Sequence, residues 1–593
     1  MKIFNTVQKA STTSFLILSL SILFCFFLFK NISYPLLWGD EAETAITANQ
    51  ILHHGYPKVH EGKNIIFLPD IAINIHHEEN INGLPDSTNW IGYKPSIDAN
   101  ISMPWGNYYF ATIGVFIASH FNDMYLKTAL VRIPFAAIGL IGLMIFMLAL
   151  KGFFPSRTNY HRFIIAFIFL ELFSITLLLN MRQARYYSLV IFITGCFFYV
   201  FIHYFILRKY SFKKYLFMMT LVLFLGYQVS FVLFTVLCIT AFVYEAWFGV
   251  MSICDKLKNR QKFLTVISDQ FLQTLRNISP VLIAIIIVIP FLIYFEIFSI
   301  SSKATQNYGF SFVKYKGQLE RLLYILKTQE CFYPFVVAKV SECIVLYLDR
   351  NKNKQVDEMA TLKRLSFFMT IFFISFALII GRWPMVLFTR HFIVLQPVMI
   401  LIMLTDIFIV LKYLSDQEIN KVDQINSIAK FARVAFLLLL ILAFSSNLKA
   451  KINYERNYLF QITHQVKGPL DYTIPYIKEN FKKPEDLVLA ADYEEFSYIY
   501  YLDCKVVLGY TNKNLKDDLN YQPDLMIYRK EWKHDRKYFD YYAQKAKYNR
   551  ILFPVYDSGV NDITELNWAF SHQFKTKFTT DDNEKAELLV LEK

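Results

Sequence analysis

The chain has few charged residues for its length. Asp, Glu, Lys and Arg make up 18% of its 593 residues, whereas soluble proteins carry about 25%. Hydrophobic residues make up 55% and aromatic residues 17%, which suits helices that face lipid and place aromatic rings at the interface. The composition excludes an ordinary soluble protein and predicts a polytopic membrane protein.

The chain also lacks an ordered pattern of disulfide-forming or metal-binding residues. Its seven cysteines form no Cys-x-x-Cys pair and no cluster with histidine, so neither a disulfide framework nor a zinc site is indicated. His76-His77-Glu78-Glu79 has ligand chemistry without a recognisable metal-binding spacing, and a solvated loop is its simpler interpretation. The sequence requires no cofactor and leaves a divalent metal open.

Basic residues are concentrated in short loops between apolar runs. The net charge is +13, and the positive-inside rule explains most of it through cytoplasmic loops. No binding to nucleic acid is therefore expected.

Eleven apolar runs approach the roughly 20 residues that cross a bilayer. They lie at 13–31, 129–150, 163–180, 187–207, 214–228, 230–248, 278–298, 331–348, 365–381, 392–411 and 431–448. The fifth is short, and the eighth contains Lys339 and Glu342, which leaves an interfacial helix as its alternative. No A-x-A-like cleavage site follows the first run, which favours an uncleaved helix over a signal peptide. Loop charges then place the N-terminus inside and the C-terminus outside.

Two large polar segments fall on the external side. Residues 32–128 form the first external loop of a transmembrane domain at 1–448, and residues 449–593 form a smaller α/β domain. The predicted elements are helices at Thr44–His54 and Leu470–Asn480, a membrane-surface helix at Trp105–Phe121, and strands at Leu487–Ala491, Tyr498–Leu502 and Leu525–Tyr528. The predicted fold class is mainly α, a polytopic membrane helical bundle of about eleven spans with a C-terminal extracytoplasmic α/β domain.

Charged residues of both signs meet at the external face in this topology. Asp40 and Glu41, the candidate catalytic pair, follow the first span, and short turns between later spans hold Arg182, Arg185 and Arg390. Ionised groups so close to hydrocarbon are costly and usually functional. Adjacent helical positions diverge by about 100°, so we expect one carboxylate to face the reacting centre while the other supports the loop or binds a cation.

These groups suit sugar transfer from a lipid phosphate. A carboxylate removes the proton of an acceptor hydroxyl, and arginines hold the phosphate and offset its charge as it leaves. Simpler interpretations are that Asp40 caps the following helix and that the arginines extend toward lipid headgroups. A candidate acceptor site in the first loop comprises His54, Lys94, Trp105 and Tyr108, although His54 also fits a solvated residue and Tyr108 an aromatic-belt residue.

Several motifs resemble one family. Gly39-Asp40-Glu41-Ala42-Glu43-Thr44-Ala45, followed by Gly55-Tyr56-Pro57, resembles the first external loop of the GT-C glycosyltransferases. The most similar branch is family 39-like, with protein O-mannosyltransferases and the aminoarabinose transferase of lipid A. Later motifs similar to that branch are Arg132-Ile133-Pro134-Phe135, Gln183-Ala184-Arg185-Tyr186-Tyr187 and Arg390-His391.

The resemblance implies a polyprenyl-phosphate sugar donor, an outward-facing site and transfer with inversion. It casts Asp40 as general base and places the three arginines near the phosphate. The partners it implies are membrane lipid and an exported glycan, lipid or protein acceptor, at the inner membrane of a bacterium. Glu43-Thr44 replaces the usual Arg-Tyr, and Ser102-Met103-Pro104-Trp105 stands where the family has Lys-Pro-Pro-Leu, so the acceptor class stays open.

A transporter or lipid flippase is the alternative function. It favours ionisable residues in mid-helix and an internal repeat. Glu171, Glu245 and Glu296 are candidates for such charges, but the sequence contains no repeat. An inactive homologue that serves as a scaffold is a third option, against which the retained Asp40-Glu41 argues.

Overall fold

The structure, a computed structural model, describes most of the chain. The described residues are 2–66, 92–154, 156–258, 263–299, 311–349, 357–382, 387–419, 423–465, 467–491, 494–507, 518–527, 529, 536–557 and 585–592. The stretch His76-His77-Glu78-Glu79 lies outside them.

Helices dominate the first three quarters of the chain. They are α1 (Lys2–Phe29), α2 (Gly39–His54), α3 (Gly106–Ala118), α4 (Met124–Leu150), α5 (Arg157–Leu172), α6 (Ile175–Met181), α7 (Tyr187–Phe201), α8 (Phe212–Val229), α9 (Phe231–Lys258), α10 (Phe263–Tyr294), α11 (Phe312–Gln329), α12 (Phe332–Asp349), α13 (Asp357–Ile380), α14 (Leu395–Ile419), α15 (Asp423–Ser445) and α16 (Leu448–Thr463). A short antiparallel pair, β1 (Tyr93–Lys94) and β2 (Ala99–Asn100), precedes α3.

The chain is a multi-pass membrane protein. Among the described residues, eight helices are long and apolar enough to cross a membrane, or nine if α11 and α12, bent by 100° at a short break, form one span. The sequence predicts eleven. The run 163–180 is divided between α5 and α6, with 16 and 7 residues, and α8 carries Lys213 and Lys214 in its first turn. Broken and partly polar helices therefore account for the lower number.

Helix α2 begins earlier than the sequence predicts. It starts at Gly39 rather than Thr44, so Asp40 and Glu41 lie within its first turn, where carboxylates interact favourably with the helix N-terminus. It ends at His54, as predicted. Gly55 follows with a φ of +82°, the left-handed conformation that glycine adopts readily after a helix.

Helix α3 has the exposed apolar face predicted for a membrane-surface helix. Tyr109, Ile113, Phe116 and Ile117 are exposed, and their spacing puts them on one side of the helix. A helix with such a face can lie in the membrane interface with its apolar side toward lipid.

The C-terminal segment contains a five-stranded sheet. Its elements are α17 (Leu470–Asn480), β3 (Val488–Ala491), α18 (Glu495–Leu502), β4 (Lys505–Val507), β5 (Leu525–Ile527), α19 (Arg536–Lys545), β6 (Tyr548–Tyr556) and β7 (Lys585–Leu591). The strand order is β4-β3-β5-β7-β6. Strand β3 is parallel to β4 and β5, and β7 is antiparallel to β5 and β6. The predicted α/β character is confirmed.

The strand predicted at Tyr498–Leu502 was wrong, because these residues belong to α18. Aromatic residues favour strands in general. Most side chains of α18 are buried. The segment therefore lacks the alternation of polar and apolar residues whose spacing distinguishes a helix from a strand.

Helix α2 and the C-terminal domain share one apolar core. Leu36, Leu37 and Ala42 belong to the same buried cluster as Phe496 and Leu489. Backbone groups are also tied across this contact, since Leu37 N donates to the Tyr501 hydroxyl (3.0 Å) and the Ser497 hydroxyl donates to Leu37 O (2.9 Å). The C-terminal domain therefore fixes the start of the helix that carries Asp40.

Candidate active site

The first turn of α2 separates the two carboxylates that the sequence predicts as catalytic. The Asp40 side chain is 41% exposed, whereas Glu41 is fully buried. Their neighbouring positions point about 100° apart on the helix, which explains the difference. Of the pair, Asp40 is the one that a substrate can reach.

Glu41 is held by Arg132 of α4 in a bidentate ion pair. Arg132 Nε donates to Glu41 Oε1 (2.9 Å) and Nη2 donates to Oε2 (2.5 Å). Ala184 N also donates to Glu41 Oε1 (2.8 Å), and Arg132 Nη1 donates to the carbonyls of Ile32 and Pro35. These contacts fit the supporting role that the sequence leaves open for one of the two carboxylates.

Arg185, in the turn between α6 and α7, is shared by two carboxylates of α2. Its Nη1 donates to Asp40 O, Glu43 Oε2 and Thr44 Oγ1, each at 2.9 Å. Its Nη2 lies 3.5 Å from Asp40 Oδ2. Burial lowers the pKa of Arg185, the charges of Asp40 and Glu43 raise it, and the net shift is upward. The buried guanidinium therefore stays charged beside Asp40.

Glu43 and Tyr108 complete this cluster. The Tyr108 hydroxyl, on α3, donates to Glu43 Oε1 (2.8 Å). Burial first and the Glu43 charge second raise the pKa of Tyr108, so the hydroxyl keeps its proton and remains a donor. Tyr108, predicted as part of an acceptor site, thus contacts the carboxylate cluster directly.

Arg390 brings a second positive charge to the start of α2. Its guanidinium carbon lies 4.9 Å from the ring centre of Trp38 and 4.5 Å from that of Phe388, within the range of cation–π contacts. Burial first, and then the charges of Arg390 and Arg185, lower the pKa of His391 from 6.5 to about 3. His391 is therefore neutral at ordinary pH.

Arg182 and His54 are two other residues that the sequence predicts for the site. Arg182 Nη2 donates to the carbonyl of Lys30 (2.7 Å), at the end of the first span. His54 is exposed at the far end of α2, about 21 Å from Asp40 at 1.5 Å per residue.

Lys94 and Trp105 lie together against the end of α10. Trp105 packs edge-on against Tyr294 and Phe295, with ring centres 6.1 and 5.4 Å apart. Lys94 Nζ lies 5.9 Å from the Tyr294 ring centre. They form a contact between the segment that joins α1 to α4 and the end of α10.

Sequence reasoning missed Arg132 and Glu43 as members of the site. An arginine inside an apolar span is costly unless it is paired, so Arg132 signals a buried acidic partner. Glu43 follows Asp40 by three positions, a spacing that brings two side chains together on a helix. Both signals are present in the sequence, but neither identifies the partner.

No protein-family model matches the sequence, and no curated protein matches it at a significant level. Solved structures that are similar to the chain include the following three. ArnT from Cupriavidus metallidurans in the apo state is 12% identical, with a TM-score of 0.48 over 98% of each chain. ArnT from Cupriavidus metallidurans bound to undecaprenyl phosphate is 12% identical, with a TM-score of 0.45 over 97% of each chain.

The third is the archaeal oligosaccharyltransferase AglB from Archaeoglobus fulgidus, in complex with an inhibitory peptide and a dolichol-phosphate. It is 11% identical, with a TM-score of 0.42, and the match covers 85% of this chain and 65% of that one. Because the identities are low and the TM-scores lie below 0.5, we base the functional proposal on the residues of the site.

Proposed function

We propose that the chain is an integral membrane glycosyltransferase that acts at the external face of the membrane. It takes a sugar from a polyprenyl-phosphate donor and transfers it, with inversion, to an exported glycan, lipid or protein. One observation carries the proposal: the exposed carboxylate of Asp40 lies beside the buried guanidinium of Arg185, between the ends of apolar helices. A base and an anion-binding group are thus adjacent where a lipid-linked phosphate would enter.

Asp40 acts as the general base in this proposal. Its carboxylate removes the proton from an acceptor hydroxyl, and the hydroxyl oxygen attacks the anomeric carbon of the donor. The bond from that carbon to the phosphate oxygen breaks as the glycosidic bond forms, and its electron pair leaves with the phosphate. Attack from the face opposite the phosphate inverts the anomeric centre.

Two buried N–H groups support a phosphate site. Arg185 Nε and Trp38 Nε1 have no hydrogen-bond partner within the described part of the chain. A buried donor without an acceptor is costly, and a phosphate oxygen would supply the acceptor. Arg390, stacked on Trp38, adds positive charge next to them. These groups would offset the charge that builds on the leaving phosphate.

No step of this mechanism uses a metal. Where the structure describes the chain, no group of three or more His, Cys, Asp or Glu side chains is placed to hold an ion. The carboxylates of Asp40 and Glu43 already share Arg185. Dependence on a divalent metal stays a prediction, which chelator treatment of the active protein tests.

The experiment compares the chain with its Asp40→Asn variant in membrane vesicles. Each sample receives a panel of polyprenyl-phosphate hexoses and pentoses with a radiolabelled sugar, and label in glycans, lipids and proteins is counted. We expect the transfer rate of the variant to be at least about a hundredfold lower, because a general base usually contributes that much. The amount of protein in the membrane should be unchanged. Glu479→Gln, at an exposed position of α17, is the matched control. Normal transfer by D40N would remove Asp40 from the mechanism.

One feature favours the alternative of a transporter or lipid flippase. Within the apolar helices, Lys339 Nζ lies 2.9 Å from Asp406 Oδ2, and both side chains bond to the Ser366 hydroxyl. Buried ionisable groups inside a membrane often mark transport pathways. Lipid scrambling by the purified protein in liposomes, abolished by Asp406→Asn and unchanged by D40N, would support this alternative.

A further inference from the structure

A polar cavity lies between α2, α3 and α18, where the first external loop meets the C-terminal domain. Its volume is about 180 Å³. Asn49 and Gln50 of α2 form one side, and Tyr500 of α18 lines another. Ser119 and Asp503 are exposed at its rim, so the cavity opens to the outside.

This cavity is separate from the candidate active site. Gln50 follows Asp40 by ten residues, which is about 15 Å along the helix at 1.5 Å per residue. Asn49 follows Asp40 by nine residues, and at about 100° per residue it lies on the opposite side of α2. A ligand group that fills the cavity therefore does not also contact the Asp40 carboxylate.

Gln50, which lines the cavity, has an amide oxygen that is unpaired in the described part of the structure. Gln50 is 6% exposed, and its Oε1 has no hydrogen-bond partner among the described residues. An unpaired buried carbonyl oxygen is costly. A hydroxyl group in the cavity would donate the missing hydrogen bond.

The acidic residues of the lining add further acceptors. Glu61 accepts one hydrogen bond from Asn64 Nδ2 (3.0 Å), and Asp503 accepts one from Lys63 Nζ (3.2 Å). A carboxylate has about four lone-pair positions, so both keep capacity for ligand hydroxyls. Lys127, also in the lining, and Lys63, which pairs with Asp503, balance the charges of these two carboxylates. The cavity therefore favours a neutral ligand rich in hydroxyl groups.

The remaining lining suits a sugar ring. Asn49 and Lys127 can donate to hydroxyl oxygens, and the partly exposed ring of Tyr500 offers a flat surface for the C–H face of a sugar. The volume of about 180 Å³ is roughly six times the ~30 Å³ that one water occupies in the liquid. That space accommodates one monosaccharide.

We infer that this cavity binds one sugar residue of an oligosaccharide acceptor, remote from the residue that receives the new sugar. The inference rests on the proposed function and narrows its acceptor class to a glycan. A molecule that reaches both Asp40 and Gln50 spans more than one sugar ring, so single sugars fill the cavity without becoming good acceptors.

The experiment measures sugar binding directly on the purified full chain in detergent. The probes are neutral trisaccharides of glucose, galactose, mannose and N-acetylglucosamine, observed by saturation-transfer difference NMR. We expect at least one to bind to the chain and equally to D40N. Gln50→Leu should weaken that binding about tenfold, the effect of one buried hydrogen bond. Ser119→Trp, at an exposed rim position, should block it, while Leu52→Ala, also on α2, should not change it.

The outcomes separate this inference from the proposed function. Binding that Q50L and S119W reduce supports the cavity as a sugar site, even if D40N still transfers sugar and the proposed function fails. No binding of any probe, or equal binding by the chain, Q50L and S119W, overturns the inference. Loss of transfer in D40N without sugar binding overturns the inference alone.

Discussion

The Arg185 guanidinium lies 3.5 Å from the Asp40 carboxylate, too far for a strong hydrogen bond. Its 2.9 Å contacts go instead to Glu43, Thr44 and the backbone carbonyl of Asp40. Arg185 is thus held in place mainly by groups other than the Asp40 side chain. In the proposed mechanism, this leaves the lone pairs of the Asp40 carboxylate for the proton of an acceptor, while the arginine stays close enough to bind a phosphate.

Glu43→Gln tests whether Glu43 holds Arg185 away from the base. The variant keeps a hydrogen-bond acceptor for Tyr108 but loses the ion pair to Arg185, which then turns toward Asp40. We expect kcat to fall about tenfold, since a hydrogen bond to a charged group contributes about 1.5–3 kcal/mol, with a smaller change in the donor KM. Tyr108→Phe removes only the hydrogen bond from the neutral tyrosine hydroxyl to Glu43. It should therefore lower kcat less than Glu43→Gln does. Equal kcat in E43Q and the unchanged chain would contradict the role.

Arg185→Lys tests the phosphate site. Lysine keeps the charge but has neither the planar fork nor the Nε donor of arginine. We expect the KM for a polyprenyl-phosphate donor to rise at least about tenfold, the equivalent of 1.4 kcal/mol. Arg276→Lys, at an exposed position of α10, is the matched control. The role is excluded if both variants shift the donor KM equally.

The buried pair of Glu41 and Arg132 is expected to control stability. Glu41→Gln leaves Arg132 charged and unpaired, which costs about 3–5 kcal/mol in buried pairs. The double change of Glu41 and Arg132 to leucine should recover part of that loss, because no charge stays unpaired. Unfolding in detergent measures both effects. Glu320→Gln, which breaks the exposed pair with Lys316, should cost less than about 1 kcal/mol.

The lowered pKa of His391 predicts that the folded protein loses stability in mild acid. Its pKa is lowered from 6.5 to about 3 by burial and by Arg390 and Arg185. Between pH 6.5 and about 3 the unfolded chain binds a proton that the folded chain does not, so folding stability falls as the pH drops through this window. His391→Gln should lower the difference in unfolding temperature between pH 7.5 and pH 5. If the difference is the same in the variant, groups other than His391 determine how the unfolding temperature depends on pH.

Tyr501→Phe tests the link between the C-terminal domain and α2. The change removes the hydroxyl that bonds to Leu37 N and to Thr128, and a buried backbone N–H without an acceptor costs about 1–3 kcal/mol. We expect lower stability and slower transfer, because α2 carries Asp40. Tyr541→Phe, on the exposed side of α19, is the control. If transfer is slower in both variants, the loss of the hydrogen bond to Leu37 is not its cause.

Local patterns predict the elements of the site well. The spacing of apolar residues predicts a helix after the first span. The step of about 100° between neighbouring helical positions explains why Asp40 and Glu41 face different ways. The run of apolar residues likewise predicts most of the spans. The start of α2 was missed, because Gly39 and Trp38 carry no side-chain cap that would mark it.

Contacts between distant segments are less predictable from sequence. Arg185 and Glu43 are 142 positions apart, and Leu37 and Tyr501 are 464 apart. Residue periodicity reports which side of a helix is buried, but it does not report which other segment covers that side. The sequence predicts from topology that Asp40 and Arg185 share one side of the membrane, whereas their pairing through Glu43 and Tyr108 follows from packing.

The apolar core shared by α2 and α18 makes the position of Asp40 depend on the C-terminal domain. Synthesis proceeds from the N-terminus, so Asp40 is made early, and the helix that covers Leu36 and Leu37 is made close to the end. A polypeptide that stops after α15 leaves Leu36 and Leu37 uncovered and Asp40 on an unsupported helix. We therefore expect Asp40 to reach its position beside Arg185 only in molecules whose C-terminal domain has folded.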